Sequence, residues 1–157
     1  MSTISATDFV QTAATALERM AFVISEPAAE TAGEVLAQSG CNALVEITGD
    51  SHRAWLVVAA TRGLVCEVAA GMLGMDPAEI DVDEHGEAVV SELANILGGE
   101  LVMAMGGEET ALRLGLPQGL DDAAIGARID EIAGNDLGWT CVLRSESGLL
   151  LVACRIH

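Results

Sequence analysis

Apolar residues recur at helical spacing near the start of the chain. Phe9, Ala13, Leu17, Met20 and Ile24 share one side of a helix expected from about Thr7 to Ile24. Ser25-Glu26-Pro27 stops it. Residues 26–40 are rich in Ala, Glu and Gly and weak in pattern, which predicts a loop or an irregular strand. A hairpin follows: Ala43–Ile47, a turn over Gly49-Asp50-Ser51-His52, and a return strand from Trp55 to Ala59. Thr61 suits a helix cap, with Leu64, Val68 and Met72 turned inward and Gly71 and Gly74 weakening the helix end.

The second half opens on a helix-start signature, Asp76-Pro77-Ala78-Glu79. After a short turn, a third long helix is expected from Asp83 or Glu84 to Met105, ended by Gly106-Gly107. Thr110 to Leu116 reads as a strand broken by Pro117. Residues 121–133 read as a short helix with Ile125, Ile129 and Ile132 on one side. Two strands, Trp139–Arg144 and Leu149–Ile156, close the chain around Ser145-Glu146-Ser147-Gly148. The order, αββα–αβ(α)ββ, suggests two similar halves, although no repeat in the sequence is strong enough to assert duplication.

Composition narrows the class. With 157 residues, 51% apolar, the chain suits one globular domain over residues 1–157. Aromatics are only 3% and Tyr is absent, so the core must be aliphatic. A formal net charge of -17 repels phosphodiesters and anionic headgroups, which argues against nucleic-acid and membrane partners. Met1–Ser5 carries no targeting pattern, and the run from Trp55 to Ala60 is too short for a bilayer, so a cytoplasmic protein is expected. Cys41, Cys66, Cys141 and Cys154 are dispersed, which predicts reduced, buried, structural thiols. Cys141 and Cys154 can face each other across the last hairpin, but no disulfide is expected in the cytosol. Cys and His show no metal-binding spacing.

The third helix holds the candidate chemistry. Val89, Leu93, Ile96, Leu97 and Leu101 form its apolar stripe. Glu92, Asn95 and Gly99 fall together on another face, and the spacing of three sets the carboxylate and the amide one turn apart. An amide can fix a water's orientation through its donor and acceptor. A carboxylate can accept from a partner's cation. Neither is a strong nucleophile, so the pair suits placing a water for in-line attack on a phosphoryl group. Alone, Glu-x-x-Asn is common, and an ordinary solvated helix face is the better explanation of the bare pair.

Context adds to the pair. Met72-Leu73-Gly74-Met75 through Glu92-Leu93-Ala94-Asn95-Ile96-Leu97-Gly98-Gly99 resembles the CheX family of chemotaxis phosphatases, in the wider CheC/CheX/FliY group. There an "mLG" helix end leads through an acidic connection into E-L-x-N-x-x-x-G. Leu114-Gly115-Leu116-Pro117 resembles the family's l-S-l-P strand. The first helix and both hairpins fit its layout, while 26–40 and 118–137 are unmatched.

The resemblance implies a CheC-like α+β fold, with two long helices on antiparallel sheet and pseudo-repeated α-β-β halves. It implies hydrolysis of the aspartyl phosphate of a CheY-like receiver. Asn95 would orient the attacking water and Glu92 would pair with the receiver's active-site Lys. Gly98 and Gly99 would meet the partner. Magnesium would arrive with the receiver, leaving no intrinsic cofactor. A homodimer through sheet edges is also implied. CheC-type relatives carry two such helices; here helix one offers Glu18-Arg19-Met20-Ala21 without the Asn, so one site per chain is expected. Glu100, where the family often has Asn, and Gly115, in place of Ser, depart from the pattern. Glu100 motivates the alternative of a non-catalytic module that binds the phosphorylated receiver or acts as an adaptor.

Other patterns are weaker. Asp81-Val82-Asp83-Glu84-His85-Gly86 with Glu92 mimics a calcium loop, but His85 and Val89 occupy ligand positions, and an acidic helix start accounts for the run. His52, His85 and His157 complete no nucleophile–base constellation. Gly98-Gly99 follows no strand-to-helix turn, so it is no phosphate loop.

Overall fold

A computed structural model of the chain describes residues 4–50, 52–106 and 111–157. Ser51, Gly107 and Thr110, which figure in the expected turn, helix end and strand, lie outside the described residues.

Helix α1 (Ala6–Ala21) starts at Ser5, whose hydroxyl accepts from the Asp8 amide. It ends at Phe22, which takes the left-handed conformation at φ 59°. That stop comes three residues before the periodicity suggests. Strand alternation takes over beyond it, so Val23 is buried and Ile24, expected inside, is 68% exposed.

Residues 26–40 are more ordered than expected. They contain β1 (Ser25–Pro27) and α2 (Ala32–Ala37), the latter capped by the Thr31 hydroxyl. The hairpin β2 (Ser39–Thr48) and β3 (Arg53–Thr61) leads directly into α3 (Arg62–Leu73). Thr61 sits at the N-cap, but its hydroxyl accepts from the Leu149 amide rather than capping α3. Met72, expected inside, is exposed because it lies at the end of α3, just before the left-handed Gly74. A 3₁₀ turn over Pro77–Glu79, capped by Asp76, connects to α4 (Val82–Ala104). The expected strand around 110–116 shrinks to β4 (Arg113–Leu114), an exposed edge. Helix α5 (Asp122–Ala133) and strands β5 (Gly138–Ser145) and β6 (Leu149–Ile156) match the expected positions.

The strands form one antiparallel sheet in the order β1-β5-β6-β3-β2-β4. Helices cover both faces. Ala43, Val45, Leu56, Val58, Val152 and Cys154 face α1, α3 and α4. Leu44, Val57, Ala59, Leu151 and Ala153 face Val35 of α2 and Ile125, Ile129 and Ile132 of α5. Strand β3 is therefore buried on both sides, which explains its continuous apolar run. The mixed helix and antiparallel-sheet class matches the expected CheC-like α+β fold.

All four cysteines are free thiols. Only Cys154 is fully buried; Cys41, Cys66 and Cys141 are half-buried, against the expectation of four buried thiols. Burial pushes the Cys141 thiol up to about 12; burial, and then Cys141 beside it, do the same to Cys154. Both stay protonated and unreactive. Among the described residues no helix is long and apolar enough to cross a membrane.

Candidate functional site on helix α4

Helix α4 is positioned by its buried face. Val82, Gly86, Val89, Val90, Leu93, Ala94, Leu97, Gly98 and Leu101 all turn inward, mostly against β2, β3 and α3. At 100° per residue, that wide stripe forces Glu92, Asn95, Gly99 and Met103 to the opposite side. Glu92 is exposed, Asn95 and Gly99 are half-exposed, and Met103 is 69% exposed. The Cβ atoms of Glu92 and Asn95 are about 5–6 Å apart at this spacing. Among the described residues, no hydrogen bond or ion pair within the chain claims either side chain.

The two glycines differ. A Cβ at Gly99 would meet nothing within 4 Å, so the backbone there is open to an approaching molecule. A Cβ at Gly98 would come within 2.6 Å of Leu114 Cδ1 on β4 and 3.6 Å of Val45 Cγ1. Gly98 is therefore a helix–sheet packing position. Of the two glycines expected to meet a partner, only Gly99 lies on the open face.

The site has apolar and polar borders. Leu114 and Leu116, 36% and 87% exposed, follow the edge of β2 on the Gly98 side. Glu100 turns toward α1 and joins Gln11, Thr12, Thr15, Ala16 and Arg19 in a groove of about 300 Å³. Sequence spacing does not point to that groove, because no local pattern pairs Arg19 of α1 with a residue 81 positions later.

At the start of α4, Asp81 accepts from the Asp83 amide and so caps its own helix. Asp83 pairs with Arg62 at 3.2 Å, and the His85 ring contacts the Asp81 carbonyl at 3.1 Å. The calcium-like run is thus committed to helix initiation. Among the described residues no group of three or more His, Cys, Asp or Glu is placed to hold a metal.

No curated protein matches the chain. In the solved structure of the chemotaxis protein CheX from Vibrio vulnificus, the TM-score is 0.69 at 16% identity, covering 97% of this chain and 95% of that one. A CheX–CheY–BeF3–Mg complex from Borrelia burgdorferi gives 0.65 at 15% identity, covering 99% of both chains. FliY from Thermotoga maritima gives 0.55 at 18%, covering 92% of this chain and 83% of that one. At such identities these likenesses establish the fold. The family description "Chemotaxis phosphatase CheX" matches residues 41–131, which hold the first hairpin, the Glu92–Asn95 helix and the edge strand. That match spans more than half of the sequence, and the chain belongs to the CheX family of chemotaxis phosphatases.

Proposed function

We propose that this protein hydrolyses the aspartyl phosphate of a CheY-like receiver, using Glu92 and Asn95. The observation that carries the reading is the solvent-facing, unclaimed pair on α4 above the open backbone at Gly99. Both side chains are free to meet groups on a second protein.

In this reading α4 docks against the receiver's phosphorylation site. The Asn95 amide holds a water in line with the phosphorus. Water oxygen forms the new P–O bond, the bond to the aspartyl oxygen breaks, and inorganic phosphate leaves a free aspartate. Glu92 accepts from the receiver's active-site lysine and sets the register of docking. The contribution of this chain is positioning, which suits a displacement needing little covalent help. In this reading magnesium arrives with the receiver, and Glu92 and Asn95 do not have to hold it. A cytoplasmic location and a homodimer through sheet edges complete the reading.

The test is phosphate release from a phosphorylated receiver of the same genome. Asn95→Ala should lower kcat by about two to three orders of magnitude with the fold intact, the scale of a lost positioning group. Glu92→Ala should weaken receiver affinity or turnover. Unchanged dephosphorylation by both variants rejects the assignment. Glu100 supports a second reading, a module that binds the phosphorylated receiver without hydrolysing it. Phosphate-dependent complex formation with no faster loss of phosphate would select that reading.

A further inference from the structure

The groove between α1 and α4 gives the docking face a charge arrangement of its own. Glu100 lies about 12 Å along the helix from Glu92 and about 8 Å from Asn95. A standard protein interface covers about 800 Å² per partner, a disc of radius about 16 Å. Glu100 points about 80° around the helix from Glu92, toward α1, so a footprint of that size centred on Glu92 extends to the groove that Glu100 shares with Arg19.

All seven cations of the chain are arginines, against 24 carboxylates. Arg62, Arg144 and Arg155 are held in ion pairs with Asp83, Glu30 and Glu131, and Arg128 stacks on Trp55. Among the described residues, Arg19, Arg53 and Arg113 make no such ion pair or ring contact; of the three, Arg19 lines the groove, among the hydroxyls of Thr12 and Thr15 and the amide of Gln11. The groove is thus a polar cleft with one exposed guanidinium and one carboxylate, beside the open face of an otherwise strongly acidic molecule.

We propose that Arg19 is a specificity-determining docking residue: it takes a carboxylate on the receiver's surface at the rim of the phosphorylation site. This rests on the receiver-phosphatase reading above. An aspartyl phosphate holds its magnesium with one or two further carboxylates, so the surroundings of that site are acidic. Facing it, Glu100 alone would repel, and Arg19 in the same groove offsets that charge. Arginine suits the task because its planar fork donates bidentately to a carboxylate. Arg19 touches no reacting atom, so it governs encounter and affinity rather than the chemical step.

The experiment measures KM and kcat for phosphate release and, separately, the affinity of fluorescently labelled receiver carrying BeF3 and magnesium. Arg19→Glu should raise KM and Kd about 10-fold at low salt and leave kcat within about 2-fold, with the gap closing by 0.5 M NaCl. Arg19→Lys should recover much of the loss, and Glu100→Gln should lower Kd. A fall in kcat at constant KM, an effect that salt does not screen, or unchanged affinity in Arg19→Glu overturns the proposal. The affinity arm is independent of turnover. If Asn95→Ala hydrolyses normally, or the wild type does not hydrolyse, the catalytic reading fails and the Arg19 result still stands or falls on Kd. Receivers that the wild type neither binds nor dephosphorylates overturn both.

Discussion

Gly99 separates folding from function within a single residue. It lies inside α4, where glycine costs roughly 1 kcal/mol relative to alanine. Nothing in the chain requires the missing side chain, since a Cβ there meets no atom within 4 Å. Gly99→Ala should therefore stabilise the protein by about 1 kcal/mol, a melting-point rise of roughly 2–4 °C. If a receiver lies against this backbone, the same methyl group should raise KM for dephosphorylation. A variant that is more stable and binds its receiver as well as before would remove Gly99 from the interface. Gly98→Ala is a useful control. Its Cβ presses on Leu114, the flexible end of an edge-strand side chain, so the helix gain and the crowding should nearly cancel.

Between elements, the tightest approach on the helical face is α3 against α1. Gly71 abuts the Ala21 carbonyl so closely that an added Cβ would overlap that oxygen. A backbone atom cannot rotate away as a leucine methyl can. Gly71→Ala should cost about 3 kcal/mol, lowering the melting point by roughly 6–12 °C by thermal denaturation. A neutral or stabilising result would show that α1 and α3 separate at little cost. The sequence reading saw Gly71 only as a weak helix end, because the reason for it is 50 residues away in α1. The same limit runs through the other elements. Long periodic stretches declare themselves: α4 with its nine inward positions, α5 with its three isoleucines, and the two hairpins were legible from spacing alone. Helix α2 was not, because six residues with a single buried Val35 carry no period. Strand β1 was not, because three residues become a strand only by pairing with β5. At the site, the Glu92–Asn95 face was legible because one helix places both residues. The groove with Arg19 was not, because packing of two helices makes it.

The whole molecule carries its charge unevenly balanced, and that has a measurable consequence. At -17, most carboxylates see other carboxylates, and only three ion pairs are formed among the described residues. Two of these pairs, Arg62–Asp83 and Arg144–Glu30, involve an arginine about half exposed, where such a pair is worth under about 1 kcal/mol. Folding brings the unpaired acids closer than they are in the extended chain, so the native state bears a net repulsion that unfolding relieves. Salt acts on that repulsion over distance. At 0.01 M the Debye length is about 30 Å, larger than the separation of most surface charges, and at 1 M it falls to about 3 Å. Screening should therefore remove more repulsion than attraction. Raising NaCl from 10 mM to 0.5 M should raise the melting temperature, by roughly 2–8 °C for about 1–2 kcal/mol. The rise should be steepest at the low-salt end, where the Debye length changes fastest. KCl should reproduce it, since the effect belongs to ionic strength rather than to a particular ion. A melting point that falls with added salt would mean that the few local pairs outweigh the repulsion among the remaining acids.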